Sequence, residues 1–104
     1  KFKAQLTEAE LRDQIRGRNL LSMDVVLETR NARIRGIEVQ LLDDGGLDDL
    51  SDDERTPYLW EVASRLSGVR AGKVVIRAAK GDSWRVSMAA IRKESDSPDL
   101  FIRI

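Results

Sequence analysis

A single small α+β domain, with a largely antiparallel sheet and two helices packed on one face, is predicted by three features of the sequence. The stretch Lys73 to Ile91 carries two apolar-alternating runs, Val74, Ile76 and Ala78, then Trp84, Val86 and Met88, separated by Lys80-Gly81-Asp82. Side chains alternate faces along a strand, so each run has one apolar face, and a loop containing glycine closes the two into a hairpin. Two other stretches, starting near Leu6 and Ser51, carry helix-start signatures followed by apolar residues at helical spacing. Finally, 104 residues suffice for one core and not for two. Helices interrupted by hairpins, in the order α-β-β-α-β-β-β, define the class. Residues 1–104 are read as one unit with an acidic loop at 43–54.

The first helix is expected over about residues 8–17. Thr7 and Glu10 have capping-box spacing, Leu6 and Leu11 stand where a hydrophobic staple would put them, and Leu11 with Ile15 forms a narrow apolar stripe. Gly17 is expected to end it as the first left-handed residue. Residues 22–42 read as a second hairpin turning at Asn31-Ala32-Arg33. Met23, Val25 and Leu27 then face Leu41, Val39 and Ile37, and Asp24, Glu28, Glu38 and Gln40 take the other face. Ser51 and Glu54 also have capping-box spacing, but Pro57 would fall at the sixth position of that helix, where its ring meets a carbonyl. The main helix is therefore expected at 57–67, with Thr56 as cap, Pro57 first, and a separate turn at 52–55. Its buried stripe is Leu59, Val62, Ala63 and Leu66, flanked by Tyr58 and Trp60, and Gly68 ends it.

In the central hairpin the three-residue loop pairs Ala78 with Trp84, Ile76 with Val86 and Val74 with Met88, and buries Trp84. It also puts Arg77 opposite Arg85, a like-charge pair that needs acidic neighbours to offset it. Asp24, Glu28 and Glu38 would supply them from the other hairpin. The closing run Leu100 to Ile104 reads as a last strand. At a sheet edge its free backbone groups would permit a homodimer or docking of a partner strand.

Composition narrows the function. Lys plus Arg and Asp plus Glu number 18 each, so no net field draws the chain to nucleic acid or to an anionic membrane. The balance hides segregation: residues 37–64 hold nine acids against Arg55 alone. There is no cysteine and no histidine, which removes disulfides, thiolate metal sites, the commonest general base and the commonest zinc ligand. A cysteine-free chain without an apolar run long enough to span a bilayer is expected to be cytoplasmic, with no cofactor. No serine has a histidine beside it and no glycine loop suits phosphate, so catalysis is not expected.

Two sets of residues stand out as candidate sites. The segment 43–54 has seven acids in twelve residues and reads as a mobile, self-repelling loop. Two leucines lie inside it. Asp43, Asp44, Leu47, Asp48, Asp49 and Leu50 could therefore form an acidic-apolar docking site for another protein, the acids steering a basic partner and the leucines adding contact area. The simpler alternative is that Leu50 staples the next helix and Leu47 folds over the core edge. The second set is Arg30, Arg33, Arg35, Arg77 and Arg85, an anion site suited to phosphates in a nucleic-acid-associated factor. Against that stand only five aromatic residues, no recognition motif and a repelling acidic loop. The acids 43, 44, 48 and 49 come in adjacent pairs, not at the alternating spacing of a calcium loop. Asp24 followed by Glu38-Val39-Gln40 distantly resembles the acid and acid-x-Lys pattern of metal-dependent nucleases, but Gln40 stands where lysine is needed. The expected function is thus a non-catalytic protein-interaction module, one domain or subunit of a larger protein or assembly.

Overall fold

The computed structural model describes residues 8–70, 72–80, 84–91 and 100–104. Helix α1 spans Glu8–Arg16 and is followed by a 3-10 turn, Arg18–Leu20. Helix α2 (Met23–Ile34), strand β1 (Glu38–Asp43), helix α3 (Asp52–Ser67) and strands β2 (Lys73–Ala78), β3 (Val86–Ile91) and β4 (Leu100–Arg103) complete the order. The strands form one sheet in the order β1-β2-β3-β4. β1 and β2 run parallel; the other two pairs are antiparallel. The sheet is therefore mixed, because α3 crosses from β1 to β2 and a crossover lets strand neighbours run the same way. The α+β class stands, with a third helix in place of the first expected strand.

One sheet face supplies Val39, Leu41, Val74, Ile76, Ala78, Val86, Met88 and Ala90 to the core. Val25 and Ala32 of α2 and Leu59, Val62, Ala63 and Leu66 of α3 belong to the same buried cluster. On the opposite face Gln40, Leu42, Val75, Ala89 and Ile91 are half-buried, while Arg77 and Phe101 are exposed. The period-two reading of β2 and β3 and the helical stripe of α3 are thus both realised.

The expected hairpin at 22–42 is replaced by α2. The apolar residues of 23–27 fit either period. The helix is selected by Ser22, whose hydroxyl accepts from the Val25 N–H, and by Asp24 in the first turn. Val25, Thr29 and Ala32 make its buried stripe. Residues 31–33, expected as a turn, lie inside the helix. It ends in a Schellman motif. Gly36 takes φ +91°, its N–H donates to the Arg33 carbonyl, and the Ile37 N–H donates to the Ala32 carbonyl.

The register of the central hairpin is offset from expectation by two residues, which preserves the faces and changes the partners. Ala78 lies opposite Val86, Ile76 opposite Met88 and Val74 opposite Ala90. Trp84 falls outside β3 and is half-buried, and Arg77 lies opposite Ser87, so no Arg77–Arg85 pair arises. Asp24 and Glu28 are on α2 and do not line this sheet; only Glu38, opposite Lys73, does.

Helix α3 begins at Asp52, not at Pro57. Ser51 and Glu54 complete the capping box, so the turn and helix expected separately are one element. Pro57 removes a bond to the carbonyl of Asp53, an exposed residue, where water can donate instead. The cap, three acids at the positive helix end and the apolar burial outweigh that loss.

Helix α1 has the expected extent, but Leu11 and Ile15 are exposed and its buried residue is Asp13. Gly17 has φ −91° and is not left-handed. It is needed for close approach, since a Cβ there would lie 2.8 Å from the Asp13 carbonyl oxygen and 3.1 Å from Leu41. Thr7, Leu6 and the Gly81-Asp82 turn lie outside the described residues.

Candidate interaction surface

The acidic segment is folded into turns that other elements hold, in contrast to the mobile loop expected. Asp43 ends β1; its carboxylate accepts from the Asn19 N–H at 2.8 Å and from the Gly45 N–H at 3.0 Å. Asp48 accepts from the Asn19 amide at 2.7 Å. Asp44 pairs with Arg77 at 3.1 Å, and Asp49 pairs with Arg85 at 2.7 Å. Arg85 also donates to the Gly46 carbonyl, and Arg55 to the Leu47 carbonyl. Mutual repulsion among the acids is offset by these donors, which arrive from distant parts of the chain. Leu47 is 0% exposed, and Leu50 is half-buried against the core. Leu47 therefore offers no surface to a partner in this fold, as the packing alternative has it, while Leu50 keeps part of its surface exposed.

The Arg85 guanidinium, hydrogen-bonded to Asp49, holds that carboxyl below its usual range, against a smaller opposing effect of desolvation. A carboxylate whose folded pKa is depressed adds stability above its unfolded pKa, about 3.9, and loses that contribution as pH falls through the lower folded value. The stability difference between the wild type and Asp49→Asn should thus be constant above about pH 5 and shrink below about pH 4. Urea unfolding across that range tests this; a difference unchanged down to the acid limit would remove Asp49 from the acid response.

The five arginines of the anion alternative do not form one site. Arg30 pairs with Glu10 at 2.9 Å. Arg33 grips Asp13 with two hydrogen bonds and donates a third to the Val39 carbonyl. Arg35 donates to the carbonyls of Leu66 and Val69, tying the end of α2 to the end of α3. Arg77 and Arg85 hold the acidic segment. Among the described residues no cluster of three or more acids could hold a metal ion, and no helix is long and apolar enough to cross a membrane. Asp24 on α2 and Glu38 at the start of β1 do not lie on paired strands, as the nuclease resemblance would require.

A different surface stands out. Met23, Leu27 and Ile34 recur along the outer side of α2 and are 78%, 48% and 76% exposed; Trp60 on α3 is 62% exposed. Leu27 and Trp60 line a groove of about 290 Å³ between the two helices, with Ala63, Ser64 and Ser67 of α3 and Asp24 and Glu28 of α2. Among the described residues no basic side chain lines it. From sequence alone Trp60 falls on the flank of a helix and Leu27 in a strand core, which separates the two. The signal available was the spacing of Met23, Leu27 and Ile34, which shares a face only if 23–34 is helical.

No protein-family model, curated protein or solved structure matches the chain. Its function has to be argued from the site itself.

Proposed function

We propose that the chain is a non-catalytic protein-interaction module, working as one domain or subunit of a larger protein or assembly. The observation that carries this reading is the outward-facing Trp60 beside Leu27, with Met23 and Ile34 exposed on the same side of α2 as Leu27. Contiguous exposed apolar surface on a folded domain marks an interaction site more often than scattered single residues do, and tryptophan is among the residues most enriched at binding hot spots. The chain has neither histidine nor cysteine, so the commonest general base and the thiol nucleophile are missing from it.

The test compares the proteins captured from an extract of the source cells by the wild type and by the Leu27→Ser, Trp60→Ser double variant. Both positions are well exposed, so the melting curve should barely change. A partner retained by the wild type and lost by the variant, and then shown to bind in purified form, supports the reading. Identical captured sets would sink it. A second route is open at β4, which has β3 as its only strand neighbour among the described residues. Its outer edge could pair with a second copy. Sedimentation that stays monomeric over a wide concentration range would exclude that homodimer.

A further inference from the structure

We infer that the occupant of the α2–α3 face is an amphipathic helix of a partner protein, with an apolar stripe flanked by lysine or arginine. The inference rests on the interaction reading above and names the chemistry of the partner. Three observations lead to it. The first is shape. Met23, Leu27 and Ile34 span all twelve residues of α2, about 17 Å along the helix axis. That ridge is long enough for the roughly two turns over which a facing helix places its i, i+3, i+4 and i+7 anchors. The adjoining groove of about 290 Å³ lies near the lower end of small-molecule pockets, about 300–1,000 Å³, and is open to solvent. It therefore suits protruding side chains better than an enclosed ligand.

The second observation is charge. Asp24 and Glu28, one helical turn apart, stand on the wall of the groove, and neither is in an ion pair among the described residues. Asp53 is exposed seven residues before Trp60, on the same side of α3. Arg30 shares the outer side of α2, but its guanidinium is held by Glu10 of α1. An acidic rim beside Leu27 and Trp60 favours a basic, apolar-striped partner and steers its approach. The same rim opposes nucleic acid and anionic lipid, and a second copy would set acid against acid.

The third observation is the character of the anchor. The indole of Trp60 offers an apolar face and a ring that attracts cations, so a lysine or arginine beside the apolar stripe gains a further contact there.

The probes are three synthetic 18-residue peptides. One is an amphipathic helix with a leucine stripe flanked by lysine, the second has glutamate in place of lysine, and the third is the lysine peptide scrambled to abolish the stripe. Binding is read by fluorescence anisotropy. The lysine amphipath should bind, and both other peptides should bind at least tenfold more weakly. Trp60→Ser should weaken the lysine amphipath at least tenfold. The Asp24→Asn, Glu28→Gln variant should weaken it severalfold and flatten its salt dependence. All these positions are on the exposed side of the helices or the groove wall, and a cooperative circular dichroism melt shifted by no more than a few degrees, as loss of Asp24 from the first turn of α2 allows, confirms that each variant folds.

Equal binding of the glutamate or scrambled peptide, no effect of Trp60→Ser, or no binding of any peptide would overturn the inference. Self-association of the wild type that Trp60→Ser abolishes would also overturn it, by making the occupant a second copy. A Trp60-dependent partner without a basic amphipathic segment would defeat this inference and leave the interaction reading standing. Absence of any Trp60-dependent partner would defeat both.

Discussion

Leu47→Ala is expected to destabilise the fold by about 2–5 kcal/mol, the usual range for truncating a fully buried leucine. Its neighbours in sequence suggest the opposite, since it sits among seven acids in a segment that composition alone would leave to solvent. The structure inverts that expectation. Leu47 has no exposed surface and belongs to the core cluster, while its own carbonyl accepts from Arg55 at 2.9 Å. Removing its side chain leaves a cavity beneath a turn that Asn19, Arg55, Arg77 and Arg85 keep from collapsing freely. Urea unfolding followed by tryptophan fluorescence measures the loss. Leu50→Ala, at a half-buried position, should cost less. Gly46→Ala should act in the same direction as Leu47→Ala, because a Cβ there would lie 2.5 Å from the Ala79 nitrogen and 2.6 Å from the Arg85 carbonyl oxygen. Both contacts are backbone, so a rotamer change cannot relieve them; such overpacking costs about 1–3 kcal/mol or more. A change below about 1 kcal/mol for Leu47→Ala would mean that the turn is not packed on the core, and would return the leucine to the list of residues a partner could reach.

The parts of the fold legible in the sequence are those where one periodicity had no rival. Leu59, Val62, Ala63 and Leu66 repeat at helical spacing, and Val74, Ile76, Ala78, Val86 and Met88 recur at every second position of their runs; the face so predicted to be buried is the buried one. Residues 22–34 read as a strand and turn from sequence because a short apolar run fits both periods. The residues that complete the helical stripe, Thr29 and Ala32, are polar and small, so they did not register as core. Ser22 and Gly36 were the better guides, since a capping hydroxyl and a glycine just past an arginine-rich turn bracket a helix and have no such role in a hairpin. The misassignment carried into the candidate site. With Leu27 placed inside a sheet, nothing linked it to Trp60. The acidic segment failed for another reason. Counting its charges gives the repulsion, but the groups that offset it, Asn19 and Arg85, lie 24 to 39 residues away in sequence and meet it only through the fold.

Arg33→Ala is expected to cost about 2–4 kcal/mol, somewhat below the roughly 3–5 kcal/mol for breaking a fully buried ion pair, because the Arg33 side chain keeps some exposure. That is a large share of the roughly 5–15 kcal/mol that stabilises a typical domain. Asp13 is only 6% exposed and is the buried residue of α1, whose leucine and isoleucine point outward. The helix is therefore held less by apolar burial than by polar contacts: two hydrogen bonds from Arg33 to Asp13, the Glu10–Arg30 pair and the close seat of Gly17. Arg33 also satisfies the Val39 carbonyl, so its truncation leaves two acceptors unmatched. Lysine cannot reproduce the three bonds of the planar fork, and Arg33→Lys should recover only part of the loss. Replacing both partners, as in Asp13→Leu with Arg33→Met, should cost less than Arg33→Ala alone, because no unpaired charge remains. A double-mutant cycle would then give a coupling energy well above the roughly 0–1 kcal/mol of an exposed pair. Hydrogen exchange supplies the spatial readout. In Arg33→Ala the amides of α1 should lose protection before those of β2 and β3, since only α1 depends on this contact for its place. Simultaneous loss across the sheet would show that Arg33 supports the whole core, and a coupling near zero would mean that Gly17 and Glu10 hold α1 without it.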